Sequence, residues 1–412
     1  MGIISGGTAW RWSYRRQNRA MRISLRNIGA ATLVVTTLCL VVILNRDNSS
    51  YDLSTGISQR QLPSVLKADM IHSPDDDAQN PAPTEVPPQP YCERNHSMVN
   101  VSDFDTLPHH IQDFLFYRHC RHFPMLLDAP DKCGGPEASS DVFLLLVIKS
   151  SPPNYDRREV LRKTWAQERQ HHGKWIRRVF ISGVSDTGFE QQRLNKVLRL
   201  ESREYGDVIQ WDFADTFFNL TLKQMLFLEW MEHRCPSVRF LLNGDDDIFA
   251  NTDNMVDYLS GLPDGNDGSK HLYVGHLIRW VGPIREKWSK YYVPVQVQES
   301  NSYPPYCGGG GFLLSGSTGR IIYKMSHSIT LLPIDDVYMG MCLEKAGLEP
   351  VSHFGVRTAG LPVPSSKVDS YHPCYYREIL LVHRFLPYQI YLMWNRINEP
   401  NLKCDGSQVS NL

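Results

Sequence analysis

From Val142 to Ile148 the chain reads Val-Phe-Leu-Leu-Leu-Val-Ile without one polar side chain. Unbroken apolarity over so short a run calls for burial on both faces, the position of a central strand in a sheet covered by helices. The same grammar continues downstream. Periodicity places a helix from about Asp156 to Gln170, a strand around Arg178 to Ser182 and a helix near Phe189 to Glu204. A short strand at Val208 to Trp211, a helix from Leu220 to His233 and a second buried strand at Val238 to Leu242 come next. Strands separated by helices return in parallel, so this alternation predicts an α/β fold with a mostly parallel, doubly wound sheet. Past Asp253 it weakens, with strands expected near His271 to Leu277 and Phe312 to Ser315 and helices around Ser317 to Ser328 and Asp336 to Ala346.

The second strand runs directly into Asn243-Gly244-Asp245-Asp246-Asp247-Ile248-Phe249. Carboxylates at the C-terminal end of a strand line the crevice where α/β sheets bind ligands, and clustered carboxylate oxygens suit Mg²⁺ or Mn²⁺. The competing reading is a solvated turn or a helix cap, with Ile248-Phe249 starting a helix. An internal comparison is available in Asp75 to Asp77, which follow no apolar strand and read as solvated charge. A second acidic site, Pro333-Ile334-Asp335-Asp336-Val337-Tyr338, opens an apolar helix. Adjacent residues point in different directions, so one carboxylate is a candidate general base and the other a cap. Arg157, Arg158, Arg162 and Lys163 lie just beyond the first strand, either to meet phosphate or as a solvated helix face. Trp165 reads as core. Trp280, Trp288, Tyr291, Tyr292, Tyr303 and Tyr306 are spread through loops, where flat amphipathic rings serve equally for surface packing and for stacking on sugars. Gly308 to Gly311 offers close backbone approach or a plain flexible loop, and no GxxxxGK[ST] phosphate loop occurs. The histidines His109, His110, His119 and His122 share no single face and read as surface or packing residues.

The 412 residues carry a net charge of −1, which argues against a nucleic-acid partner. Before residue 27 every charged side chain is arginine, and Ile28 to Leu44 contains no charge. Positive flank first predicts an uncleaved signal-anchor, with 1–27 as cytoplasmic tail, 28–44 as the span and the remainder lumenal. Residues 45–90 are polar and proline-bearing, a stem that cannot bury a core. A disulfide-tied lead-in is expected over 91–140 and the catalytic domain over 141–404. Cys39 falls in the span, and the eight cysteines that follow allow full pairing in an oxidising compartment. The sequons at Asn48, Asn95, Asn100 and Asn219 suit the same topology.

The ordered set Arg158-x-x-x-Arg162-x-Thr164-Trp165, Phe217-Phe218-Asn219-Leu220-Thr221-Leu222-Lys223, Asn243-Gly244-Asp245-Asp246-Asp247, Lys287-Trp288-x-x-Tyr291, Tyr303 to Phe312 and Asp335-Asp336-Val337-Tyr338-x-Gly340 resembles the Golgi β-1,3-glycosyltransferases. Gly308 to Gly311, Pro333-Ile334-Asp335-Asp336 and Leu381 to Pro387 resemble the β-1,3-N-acetylglucosaminyltransferase branch, in particular its core 1 O-glycan extending type. The resemblance implies a glycosyltransferase A fold in one lumenal domain behind a type II Golgi anchor. It also implies UDP-GlcNAc as donor, Mn²⁺ as cofactor and a galactose-terminated glycan as acceptor. Carried over by position, Asp247 ligates the metal, Asp245 and Asp246 contact ribose or metal-bound water, and Asp336 is the base. His383 is a candidate last metal ligand, with a packed core histidine as its alternative. Asp215 and Lys223, with Arg158 and Arg162, fall toward the nucleotide, and Trp288, Tyr291, Gly309 and Gly310 toward the acceptor. The rival readings are a β-1,3-galactosyltransferase and a catalytically silent sugar-binding protein. A homo-oligomer stays open.

Overall fold

A computed structural model describes residues 92–185, 188–358 and 372–404. The expected tail, span, stem and Asn48 lie outside these residues. No helix among the described residues is long and apolar enough to cross a membrane.

Fourteen strands occur in chain order among the described residues. They are β1 (Met125–Leu127), β2 (Val142–Lys149), β3 (Arg169–His171), β4 (Lys174–Val184), β5 (Val208–Ala214), β6 (Phe240–Asp245) and β7 (Ile248–Ala250), followed by β8 (Tyr273–Gly275), β9 (Leu277–Ile278), β10 (Tyr306–Cys307), β11 (Gly311–Ser315), β12 (Val351–Ser352), β13 (Val356–Arg357) and β14 (Leu381–His383). The main sheet runs β1-β5-β4-β2-β6-β11-β8-β12. As the sequence predicts, β2 is central and buried throughout. Its side chains alternate between two cores, with Leu145 and Val147 on one face and Leu144, Leu146 and Ile148 on the other. Helix Leu220–Arg234 supplies Leu222, Met225 and Met231 to the first core. Leu161 and Trp165 enter the second, where the Trp165 indole donates to the Ile248 carbonyl at 3.0 Å.

The sheet is mixed, with the expected parallel pairing at its centre and antiparallel strands toward its ends. The block β5-β4-β2-β6 is parallel, but β11 lies antiparallel to both β6 and β8, and β1 antiparallel to β5. The reversal begins where the helix alternation weakens in sequence. After the acidic turn the chain passes through the helix Thr252–Ser260, β8 and a long loop segment before it enters β11 antiparallel to both neighbours.

Three expected boundaries shift for local reasons. The first helix ends at Lys163, because Thr164 leaves helical backbone at φ −121° and ψ −124°. Residues 169–171 then fold back onto β4 as a hairpin whose turn, His172-Gly173, has φ of 48° and 74°. Ile248 and Phe249 start a strand rather than a helix, pairing with β14 so that Ile248 faces His383. The lead-in carries its own small core of Phe104, Leu107, Ile111, Leu115 and Phe116 against Tyr292. It is tied by Cys92–Cys120 and, across the domain, by Cys133–Cys235, while Cys374–Cys404 closes the C-terminal helices. Full pairing is not reached. Cys307 and Cys342 are free and buried, and burial pushes both thiols up to about 12.

Candidate active site

The parallel block presents two strand ends side by side, Lys149 on β2 and Asp245 on β6, in register as partners. The chain then turns through Asp246 and Asp247 into β7, whose pairing with β14 delivers His383 to the same place. His383 Nε2 lies 3.0 Å from Asp247 Oδ1 and 3.7 Å from Asp245 Oδ2. These three residues offer ligand atoms within 4.8 Å of one another. Asp247 Oδ1 is buried and makes no aligned hydrogen bond, its imidazole neighbour standing at ion-pair distance only. An orphaned buried carboxylate oxygen beside a second carboxylate and an imidazole is a donor set that fits a divalent cation.

The second acidic site reaches the first through one side chain. Lys149 Nζ is 3.0 Å from Asp245 Oδ1 and 2.7 Å from Asp335 Oδ2, with its own side chain 5% exposed. Burial works to lower the Lys149 ammonium, but Asp245 and then Asp335 outweigh it and hold it charged. Neither aspartate caps the helix Asp335–Lys345; the N-cap is Ile334. Asp336 instead accepts from the Gly309 N–H at 2.7 Å and from the Val337 N–H at 2.8 Å. Burial first, and then the neighbouring Asp335 charge, pushes its carboxyl up to about 7. A carboxylate so poised is matched to proton abstraction near neutral pH.

The glycine run serves close approach, though toward the protein's own site residues. A Cβ at Gly310, which has φ 103°, would fall 2.6 Å from the His383 ring, and the Gly310 carbonyl accepts from the Asp245 N–H at 3.0 Å. Gly309 therefore sits against the candidate base, whereas Gly310 is buried and closed to an acceptor. Trp288 is 87% exposed, and Tyr291 meets Phe217 edge-on at 5.5 Å on the same loop region.

Several residues expected in the site are engaged elsewhere. Asp246 is turned inward, accepting from Ser150 Oγ at 2.7 Å, Asn154 Nδ2 at 2.8 Å and Arg157 Nη1 at 3.0 Å. Three donors so placed hold a carboxylate that is buried beside two others. Arg158 grips Glu201 through Nε and Nη2 and also donates to the carbonyls of Ser151 and Pro152. Arg162 pairs with Asp207 and Glu201, and Arg178 with Asp207. Both expected phosphate arginines are thus sealed in the fold. Asp215 and Lys223 form an ion pair at 2.7 Å whose side chains are 2% and 1% exposed, closed to a nucleotide. Asn219 donates one amide hydrogen to the Ala214 carbonyl at 2.9 Å. Asn95 and Asn100 lie at the two ends of a short 3₁₀ turn in the lead-in, with Asn95 Oδ1 accepting from Ser97 of its own sequon.

Sequence reasoning missed Lys149. Its signal was a lysine closing a strand buried on both faces, where a charge survives only with partners. Arg157 was named with its helix neighbours but not singled out, and it alone faces the site, 3.0 Å from Asp246 and 3.6 Å from Asp247. Burial works to raise the Asp247 carboxyl, yet His383 and Arg157 outweigh it and hold it below the usual range.

Comparisons with known proteins bear on this arrangement. The Galactosyltransferase family profile matches residues 156–353, a span that contains both acidic sites. The chain is 49% identical to human N-acetyllactosaminide β-1,3-N-acetylglucosaminyltransferase 3, over 96% of this chain and 99% of that protein. It is 51% identical to human acetylgalactosaminyl-O-glycosyl-glycoprotein β-1,3-N-acetylglucosaminyltransferase, over 80% and 84% of the two. Rat UDP-GlcNAc:βGal β-1,3-N-acetylglucosaminyltransferase 7 is 42% identical over 76% of this chain and 77% of its own length. A galactosyltransferase structure with donor and acceptor sugar analogues aligns at 13% identity, covering 62% of this chain and 96% of that one, with a TM-score of 0.31, too low to assign the fold. From the sequence relatives alone, then, the chain belongs to the β-1,3-N-acetylglucosaminyltransferase family.

Proposed function

We propose that this protein is an inverting transferase moving GlcNAc from UDP-GlcNAc in β-1,3 linkage onto the terminal β-galactose of glycoprotein glycans, either N-acetyllactosamine or core 1 O-glycans. The reading includes a glycosyltransferase A fold, Mn²⁺ as cofactor, and a type II anchor holding the catalytic domain in the Golgi lumen. The observation that supports it is Lys149 bridging Asp245 and Asp335, which joins the acidic strand end to the helix start that carries the candidate base Asp336.

Asp247, Asp245 and His383 would hold the metal, which when bound supplies positive charge against the diphosphate. Asp336 removes the proton from the acceptor hydroxyl. One base acting on the face opposite the leaving group inverts an α-linked donor to a β-product, the single-displacement logic of inverting carbohydrate enzymes. The Gly309 and Val337 N–H groups fix the Asp336 carboxylate, leaving lone pairs free for the incoming hydroxyl. Lys149 balances Asp335, so the charge beside the base is compensated. The exposed Trp288 and Tyr291 rings provide apolar faces for the acceptor sugars.

Purified protein offered UDP-GlcNAc or UDP-galactose separately, with Mn²⁺ and a galactose-terminated acceptor, tests the proposal. The expected product carries β-1,3-linked GlcNAc, and chelation stops its formation. Preference for UDP-galactose would overturn the donor assignment, and turnover of neither sugar nucleotide would overturn the enzyme.

A further inference from the structure

A second cluster of ligating side chains lies outside the candidate active site, where the β3–β4 hairpin tip meets the helix Thr252–Ser260. We propose that His171, His172 and Asp257 form a binding site for a borderline-soft divalent cation of the Zn²⁺ class, independent of the transfer reaction. His171 Nε2 is 2.9 Å and His172 Nε2 is 3.7 Å from the same oxygen, Asp257 Oδ1. The three residues offer ligand atoms within 4.8 Å of one another. Zn²⁺ holds nitrogen and oxygen ligands at about 2.0–2.2 Å, which places neighbouring ligand atoms a little over about 3 Å apart, so only side-chain adjustment is required. Two imidazoles and a carboxylate are the donor set this ion class takes, with a fourth position open to water.

Three features of the fold build the site. Asp253 and Asp257 are one helical turn apart and share a face. His171 stands between them, its Nδ1 3.1 Å from Asp253 Oδ1 while Nε2 faces Asp257. That outer carboxylate is the kind of partner that orients a ligating histidine, and Arg169, 2.7 Å from the same Asp253 oxygen, holds it in place. His172 occupies the hairpin turn at φ 48°, a backbone region that histidine enters more readily than most side chains, and its ring lies 4.1 Å centre to centre from that of His171.

The donor chemistry also separates this site from the acidic one: two nitrogens and one oxygen here, two oxygens and one nitrogen at Asp245, Asp247 and His383. The test uses the whole protein carrying Asp247→Ala, so that the acidic cluster does not compete. Calorimetric titration with Zn²⁺ should give one equivalent, and Co²⁺ as a probe should show the visible absorption of a tetrahedral site. His172→Ala, at an exposed turn where no fold loss is expected, should weaken Zn²⁺ binding at least about tenfold, and Asp253→Asn should weaken it by about 10–100-fold. Zn²⁺ should raise the thermal midpoint of the parent and not that of His172→Ala. Absence of the Zn²⁺ equivalent, or equal affinity in the parent, His172→Ala and Asp257→Asn, overturns the site.

Discussion

Two buried charge systems meet at Ser150 and are built in opposite ways. On one side Arg158, Arg162 and Arg178 face Glu201 and Asp207, cations in excess, every carboxylate gripped and all five side chains nearly sealed from solvent. On the other, Asp245, Asp246, Asp247, Asp335 and Asp336 face Lys149 and Arg157 with His383, carboxylates in excess and one oxygen of Asp247 without an aligned donor. Ser150 Oγ links them, accepting from Arg158 and donating to Asp246. The difference separates scaffold from site. The arginine network carries one cation in excess and is closed from solvent with both carboxylates gripped, whereas five carboxylates facing Lys149, Arg157 and His383 leave a larger negative excess at a partly open site, which a bound cation would offset.

The most damaging test of this contrast is Asp336→Asn, which should lower transfer by about 10²–10⁴-fold while UDP binding, read by calorimetry, persists. Equal turnover in the variant would remove the base. In the closed network the expectation is reversed. Arg162→Ala leaves Asp207 partly unpaired and should lower unfolding free energy by about 3–5 kcal/mol, read from denaturant midpoints. A loss under about 1 kcal/mol would mean the arginine is not scaffold.

pH sharpens the comparison because the two carboxylates are shifted in opposite directions, so their losses on acidification fall in different pH ranges. Asp336 is pushed up to about 7, so kcat/KM should fall roughly tenfold per pH unit below that value as the base becomes protonated. Burial would raise Asp207, but Arg162 and then Arg178 outweigh it and hold the carboxyl below its ordinary range. Its stabilising contribution is therefore complete at neutral pH and is lost only as pH falls below about 4, through the folded-state value. A flat rate profile between pH 5.5 and 8, that is, across roughly the range where histidine and raised carboxylates titrate, breaks the assignment of Asp336. The smallest effect belongs to Arg157→Ala. This half-exposed arginine should cost within about 1 kcal/mol of stability and appear as a raised KM for the donor, in contrast to its neighbour Arg158.

The adjacency of Arg157 and Arg158 shows where sequence reading stops. Both belong to one basic helix start, and charge alone gave no reason to separate them. Successive residues on a helix point about 100° apart, so one reached Glu201 beneath the sheet edge and the other the acidic turn. The three consecutive aspartates likewise could not be separated by charge alone. The turn into β7 sends the outer two toward His383 and the middle one toward Ser150 and Asn154. Lys149 escaped notice because its partners, Asp245 and Asp335, are remote in sequence.

Apolar runs and their spacing determined that this chain has a buried parallel block with carboxylates at a strand end, because burial on two faces is a local compositional demand. Ordered motifs determined the family. Only the tertiary structure decided that β11 would enter antiparallel, that two phosphate candidates would be sealed into the core, and that Lys149 would join the two acidic sites. Those outcomes depend on which side chains meet across the sheet, and long-range electrostatic matching among buried groups is a property of the packed chain that no window of sequence contains.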